Sequence, residues 1–421
     1  MIILYKKISI NNYYLAIKFE MKLFDVIIIG AGAAGLMCAW QAAKRGRRVC
    51  IIDHMNKVGE KIRISGGGRS NFTNLYCSPD NFISQNRHFP KSALKRFSQH
   101  DFISLVENYG IAYHEKPCDE NADQSSKGQL FCDNSAVEII DMLRNGFEGN
   151  GGKFHLGTKV TQVEKQGDIY LLKSDKGEFS CETLVIASGG LSIPKIGASN
   201  FGYGLAKKFD LNIIPPRAGL VPLTFDEELL AKTKELSGVS VNAVVSCAGK
   251  SFREGLLFTH RGLSGPVILQ ISSYWQEGEE ISINLLPELD VFAALKLSRE
   301  KIPKQMLHNV LSDMLPNKLA RMIAADSGYD MRIADLSDKK LRIIEGRISN
   351  WRVKPKGSEG YRTAEVTLGG VDTDEISSKT FEAKKSKGLY FIGEVLDVTG
   401  HLGGHNFQWA WSSGWCAGQY V

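Results

Sequence analysis

Phe24 to Ile29 is a short, mainly apolar run that ends in four consecutive β-branched residues, and glycines follow at once at positions 30, 32 and 35. A short apolar run bounded by glycine predicts a buried strand. Leu36 to Lys44 is rich in alanine and long side chains and free of proline, which predicts a helix, with Gly46 as its stop. Arg48 to Ile52 predicts a second strand, ending at Asp53. Strand, helix and strand in this order form a βαβ unit and imply a parallel sheet.

Further on, Thr158 to Ser180 breaks into short strand-like runs at Gln166-Gly167-Asp168 and Asp175-Lys176-Gly177, the pattern of a β-meander. Thr183 to Ala187 predicts another buried strand, ending at Ser188-Gly189-Gly190. Pro215-Pro216 marks a boundary, after which the pattern changes. Val239 to Cys247 and Ile281 to Leu285 alternate like strands, and the spacing between Val291 and Ala325 is helical. The first pattern resumes with a strand at Leu389 to Ile392, a turn at Gly393-Glu394 and a helix over Phe407 to Cys416. The expected fold class is α/β. A domain with a parallel sheet and a β-meander (21–214 and 351–421) is interrupted by a mixed β/α insert domain (215–350). Residues 1–20 are read as an added tail, disordered or not translated, with Met21 a candidate start.

Composition narrows the function classes. The chain has 421 residues, 43% hydrophobic and 23% charged, enough to bury a large core without staples. Its 52 basic and 46 acidic side chains leave a net charge of +6, and there is no basic block, so no nucleic-acid partner is expected. Eight cysteines form no CxxC pair, which argues for a cytoplasmic protein with neither a disulfide framework nor a zinc site. No apolar run has the ~18 residues of a membrane span, so no membrane partner is expected. Composition leaves the oligomeric state open.

The glycines carry the chemistry. In Gly30-x-Gly32-x-x-Gly35, the first glycine permits a tight turn, the second lets backbone approach a pyrophosphate, and the third lets helix and strand meet closely. The helix start then offers unpaired N–H groups to phosphate. Asp53 is placed to accept from an adenosine ribose, which disfavours a 2′-phosphate there. The loop Gly59 to Asn71 adds Gly66, Gly67 and Gly68 together with Lys61, Arg63 and Arg69, a second cradle for a pyrophosphate. The turn Thr399 to Gln408 opens the last helix, where a helix start can face a reduced flavin. Two chain ends clasping one ligand point to FAD rather than to NAD. There is no second strand–GxGxxG–helix unit, so NADH or NADPH is expected only as a transient electron donor.

Four ordered stretches, Asp25 to Leu36, Ser65 to Asn74, Leu257 to Pro266 and Gly388 to Glu394, resemble a family of bacterial NAD(P)/FAD-dependent oxidoreductases with bile-acid reductase-like and aminoacetone oxidase-like members. The resemblance runs from about Met21 to the end. It implies a Rossmann-like FAD domain with an insert, and FAD contacts at Gly30, Gly32, Ala33, Ala34, Asp53, Lys61, the Gly66–Arg69 loop, Gly189-Gly190, Gly393-Glu394 and the Gly404, His405, Asn406 and Phe407 turn. Asp53 stands where many members carry glutamate. Ser70 stands where cysteine is expected in many, so thiol chemistry there is absent.

For proton transfer, His401 and His405 lie beside the proposed flavin turn and ordinarily titrate near neutrality. Structural roles for both histidines are weighed equally with catalytic ones, and Arg362 is a candidate for an anionic substrate group or the flavin, with a structural ion pair weighed equally. Thr259-His260-Arg261 is read as turn support in preference to a face toward the flavin. Trp409, Trp411 and Trp415 are read as core. The leading reading is an FAD-dependent reductase or oxidase passing hydride between the flavin and a small organic molecule. An FAD-dependent RNA-modification enzyme is the alternative, calling for a stronger basic surface and thiols near the flavin. A non-enzymatic binding protein on the same fold is a third reading, against which the intact phosphate glycines argue.

Overall fold

A computed structural model describes residues 22–117 and 127–421. The predicted tail at 1–20 lies outside the described residues. β1 (Lys22–Ile29), α1 (Ala33–Lys44) and β2 (Val49–Ile52) form the βαβ unit, with β1 and β2 parallel and Ile29 opposite Ile52. On its other side β1 runs parallel to Gly177–Ile186, with Ile29 opposite Ile186. That strand also pairs in parallel with Leu389–Phe391, setting Ile186 opposite Phe391. The register therefore brings the carboxyl ends of four strands level. Gly30, Asp53, the 187–190 turn and Gly393 follow at one edge of the sheet, where open parallel sheets bind ligands.

Gly177–Ile186 corrects one sequence expectation. Its first half pairs antiparallel with Ile169–Ser174 inside the meander, while its whole length runs beside β1. The meander's last strand and the buried strand expected at 183–187 are one element, because no turn residue separates Ser180 from Thr183.

A second sheet of seven strands has the order 351–353, 281–284, 240–247, 250–259, 262–264, 223–224, 357–358. Its two terminal strands are separated by three residues of chain. A sheet whose edges are so tethered must curl toward closure, which hides the edges. Lys356 N–H, in the tether, donates to Thr224 O at 2.8 Å. The helices 291–301, 307–312, 317–327 and 338–349 place Val291, Leu295, Leu311, Leu319, Ile323, Ile344 and Ile348 in one buried cluster with Val245, Phe258 and Ile283 of this sheet. The short strands 351–353 and 357–358 lie past the sequence-based limit of 350. Two- and three-residue strands carry no pattern that reveals their partners.

The chain passes between the sheets twice, and the crossings pair with each other. Ile213–Gly219 is antiparallel to Val366–Val371, with a bulge between Ile214 and Arg217. Pro215-Pro216 is that bulge, the place in a strand where a residue without N–H is tolerated. Arg217 reaches from it to donate to the carbonyls of Ser273 (2.6 Å), Trp275 (3.3 Å) and Ser272 (3.4 Å).

The last helix, His405–Gly418, lies against α1. A Cβ at Gly414 would sit 2.5 Å from Ala34 O, and one at Gly418 would sit 2.5 Å from Gln41 Cβ. The two backbones approach as closely as they do because both positions lack side chains. Among the described residues, no helix is long and apolar enough to cross a membrane.

Gly414→Ala is therefore expected to destabilise by about 1–3 kcal/mol, the usual effect of an extra methyl in a filled contact. Gly204→Ala, in the helix Phe201–Lys208 with nothing within 4 Å, is expected to leave the melting temperature unchanged or raise it. Thermal melts of both variants check the contrast.

Candidate cofactor and substrate cleft

The three fingerprint glycines do three different things. Gly30 has φ +116°, and a Cβ there would lie 2.3 Å from Ala187 O. A Cβ at Gly35 would lie 2.0 Å from Gly30 O, so Gly35 seats α1 on the sheet. At Gly32 a Cβ would meet nothing within 4 Å, because this glycine opens onto a cleft. Gly32 is also the N-cap of α1, with no side chain capping the helix and no acid in its first turn. The free N–H groups and the dipole of α1 thus face open space suited to an anion.

Asp53 holds this turn in shape. Its Oδ2 accepts from Ala31 N–H at 2.7 Å and its Oδ1 from Met55 N–H at 2.8 Å. Each oxygen keeps a lone pair for a ligand hydroxyl. On the other side of the cleft, Lys61 Nζ lies 2.6 Å from Glu394 Oε2 and 2.7 Å from Ser192 Oγ. Ser192 Oγ and Thr367 N–H both donate to Glu394 Oε1, at 3.0 and 2.9 Å. Thr367 Oγ1 in turn accepts from Leu191 N–H at 2.8 Å. This polar knot joins four separate segments: α2 (Glu60–Ile64), the turn after 177–186, the crossing strand 366–371 and the Gly393-Glu394 turn.

Gly66 and Gly67 adopt left-handed backbone (φ +56° and +65°), and a Cβ at Gly67 would meet nothing. Gly404 (φ +92°) caps the last helix, and Asn406 clamps its approach, donating to Gly400 O and accepting from Gly400 N–H, both at 2.8 Å. Together these elements enclose a cleft of about 1140 Å³. Its far wall comes from the second sheet and the helix after it, through Asn242, Glu254, Gly255 and Pro266. Open space at Gly32, Gly67 and Gly189, next to a free helix start, fits an extended dinucleotide with room left for a substrate.

Of the residues singled out in the sequence, Gly30, Gly32, Ala33, Ala34, Asp53, Lys61, Gly66, Gly67, Gly189, Gly190, Gly393, Glu394, Gly404, Asn406 and Phe407 line the cleft. Gly35, Gly68, Arg69, His405, His401 and Arg362 do not. Thr259 Oγ1 accepts from Arg261 and Gly262 N–H at 3.2 Å, so its side chain braces the turn. Trp409, read as core, is buried and also touches the cleft.

The two histidines need correction. His401 is buried, with Nε2 2.7 Å from the Tyr274 hydroxyl. Burial, with the positive charge of Lys250, pushes it down to about 4. His405 is buried with no partner for either ring nitrogen, and burial pushes it down to about 3. Neither titrates near neutrality, and neither reaches the cleft.

Glu365 is the residue that sequence reading passed over. It lies next to the crossing strand, its N–H donating to Leu220 O at 3.2 Å, and its side chain opens into the cleft. Its side chain is exposed to the cleft, yet the protein around it desolvates the carboxyl and pushes its pKa up, against the opposing charge of Lys61. No motif marks a lone glutamate, and its neighbour Arg362 is the more conspicuous residue in sequence.

A parallel sheet whose carboxyl edge carries this glycine cradle, closed by a second unit, defines an FAD-binding oxidoreductase, and the protein is an enzyme of that class. The chain belongs to the HI0933-like protein Rossmann domain family, whose model matches residues 24–420. It is 53% identical over 401 residues to the ribosomal RNA dihydrouridine synthase of Escherichia coli (strain K12), an alignment covering 95% of this chain and 98% of that protein. It is 49% identical over 398 residues to the ribosomal RNA dihydrouridine synthase of Haemophilus influenzae, covering 93% and 97%. A 3-dehydro-bile acid delta(4,6)-reductase of Clostridium scindens is 26% identical over 411 residues, covering 93% and 97%. The first two overturn the expectation that no nucleic acid is a partner. That expectation rested on net charge, which sums over the whole chain and does not report where charges sit.

His405 carries a pH prediction. The unfolded chain protonates its imidazole below about 6.5, whereas the folded chain does not until about 3, so stability falls as pH drops through that window. His405→Phe is expected to reduce the loss by up to about 1.4 kcal/mol per pH unit. Asp397 and Glu365, which burial favours in their protonated form, act in the opposite direction in both proteins. Denaturant unfolding of the variant and wild type between pH 6 and 4 isolates the difference.

Proposed function

We propose that the protein reduces uridine in ribosomal RNA to dihydrouridine, with FAD as resident cofactor and NADH or NADPH as electron donor, in the cytoplasm. The observation that carries this reading is the 53% identity to a ribosomal RNA dihydrouridine synthase over nearly the full length of both chains. The geometry supports it, since the cleft lies between two separately cored units and has room for a base beside a dinucleotide.

In this reading Gly32, Ala33 and Ala34 hold the pyrophosphate at the start of α1, with Gly30 shaping the turn, and Asp53 holds the adenosine ribose. Lys61, Gly66, Gly67, Gly189, Gly190, Gly393, Glu394, Gly404, Asn406 and Phe407 surround the rest of the cofactor. The bound flavin supplies a hydride. Saturating the C5=C6 bond of uridine takes that hydride and one proton, and Glu365 holds the proton. Its carboxyl opens into the cleft, desolvation pushes its pKa up against the charge of Lys61, and neither cleft-adjacent histidine can serve. The balance is uridine plus NAD(P)H plus one proton giving dihydrouridine plus NAD(P)⁺.

The purified protein is expected to show oxidised-flavin absorbance that bleaches anaerobically with NADH or NADPH. Unmodified ribosomal RNA is expected to gain two hydrogens in mass at uridine. Bleaching with no change in any RNA would sink the RNA reading and leave the flavoenzyme.

Gly32→Val is expected to fold as the wild type does, because its Cβ meets open space, yet to lose FAD. A variant that retains flavin would place the pyrophosphate elsewhere.

Glu365→Gln is expected to lower RNA turnover by about 10²–10⁴-fold while flavin binding and its reduction by NAD(P)H stay unchanged. In the wild type, turnover is expected to fall as rising pH removes the Glu365 proton, and that limb should vanish in the variant. An unchanged pH profile in Glu365→Gln would assign the proton to another group.

A further inference from the structure

We infer that the helix Asp338–Ser349 and the strand and tether that follow it, through Lys356, form the surface that grips the sugar–phosphate backbone of the RNA substrate. This rests on the RNA reading above and extends it to a binding site. The first observation is where the charge lies. Residues 291–360 contain 14 Lys and Arg against eight Asp and Glu, an excess of six. That stretch, one-sixth of the chain, holds all of the net +6, and the remainder balances at 38 against 38. The modest total that argued against nucleic acid is thus a local concentration.

The second observation is its geometry. Along the helix Asp338–Ser349, the buried residues Leu341, Ile344 and Ile348 face the second core. The opposite stripe, Lys339, Arg342, Ile343, Gly346 and Arg347, is exposed at helical spacing. A groove of about 320 Å³ runs past the end of that stripe, lined by Ile343, Gly346, Arg347, Asn350, Trp351 and Arg352. Gly346 leaves its floor open, since a Cβ there would meet nothing within 4 Å. Trp351 is half-buried, one side stacked on Phe258 with centroids 6.0 Å apart. An aromatic ring flanked by arginines is the composition that accepts a base while cations follow the phosphates. Beyond it, Lys354 and Lys356 are exposed on either side of buried Pro355.

Several of these cations have acidic neighbours. Arg347 bonds Asp326, Arg342 lies 2.9 Å from Glu345, and Arg352 lies 3.8 Å from Glu280. Exposed pairs of this kind contribute little and yield readily to phosphate.

The surface is also connected to the cleft. The strand Lys250–Thr259 lines the cleft at Gly255 and supports Trp351 at Phe258. Three residues of strand span about 10 Å. Gly255 and Phe258 sit on opposite faces of that strand, so it carries the cleft wall on one side and the support of Trp351 on the other, and a uracil turned out of its stack is the group the cleft would receive.

The test compares two charge-matched triple variants in their flavin-loaded form. Lys339→Ala, Arg352→Ala and Lys354→Ala remove surface cations, and Lys91→Ala, Lys153→Ala and Lys173→Ala remove exposed lysines elsewhere. Binding of transcribed, unmodified ribosomal RNA is measured against salt, with turnover read by mass. The first variant is expected to weaken binding by about tenfold or more at moderate salt and to lower the salt slope by about three. Its KM for RNA rises while kcat and flavin reduction by NAD(P)H hold, and the control variant matches wild type. Equal loss in both variants, loss in neither, or no RNA binding by wild type would overturn the inference. Tight, surface-dependent binding without dihydrouridine formation would leave the docking surface standing and remove the proposed reaction instead.

Discussion

The site exists because two helices far apart in sequence touch at backbone distance. α1 carries the Gly30–Gly35 turn at its start, and the last helix carries the Gly404 turn at its own. At Gly414 the space a methyl would need is taken by Ala34 O, one residue before the glycine that seats α1 on the sheet. At the far end Arg45 donates to the carbonyls of Gly418 and Val421, at 2.9 and 3.1 Å. A bulkier residue at either contact would move one helix start relative to the other, and the shape of the cleft depends on that relation. Small residues here do for cofactor geometry what they do elsewhere for close helix crossings, with the difference that a functional turn begins at each helix.

A second constraint works across the cleft. Lys61, Ser192, Thr367 and Glu394, up to 333 residues apart in sequence, meet in one connected set of hydrogen bonds. Partly buried charges are stabilising only while paired, and removing one partner strands the other. The knot therefore works as a latch. It makes the return of the chain from the second unit, through Thr367, part of the same structure as the second glycine loop. Arg217 makes the corresponding connection to the second unit by filling the carbonyls at the end of the helix Pro266–Ser272.

Much of the cofactor cradle was legible in sequence because glycine reports backbone needs locally: a positive φ, a close approach or an open face each require it. The nucleotide turn, the meander and the last helix follow from that and from hydrophobic period. Other features needed the third dimension. Pro215-Pro216 signals a break in any linear reading, yet it is a bulge inside a paired crossing strand, whose partner lies about 150 residues away. Gly35 belongs to the fingerprint but contacts only protein. The histidines stand beside a glycine turn in sequence, and the fold turns both inward. The charge argument failed for a related reason, since a sum taken over 421 residues hid an excess confined to seventy of them.

In the proposed reaction the same physical effect favours a carboxyl over an imidazole as the proton donor. Burial penalises whichever form is charged. For His401 and His405 that form is the acid, so burial removes the proton they would need to donate. For Glu365 it is the base, so the same desolvation pushes its pKa up. Lys61 lies close enough to act against that shift, but its ammonium is already engaged by Glu394 and Ser192. The latch thus also engages the cation that acts against the shift of Glu365. Of the two histidines and Glu365, only the glutamate is shifted toward the form that carries a proton. In the proposed reaction the proton comes from a residue of the crossing segment, so no thiol is needed at Ser70 in the second glycine loop.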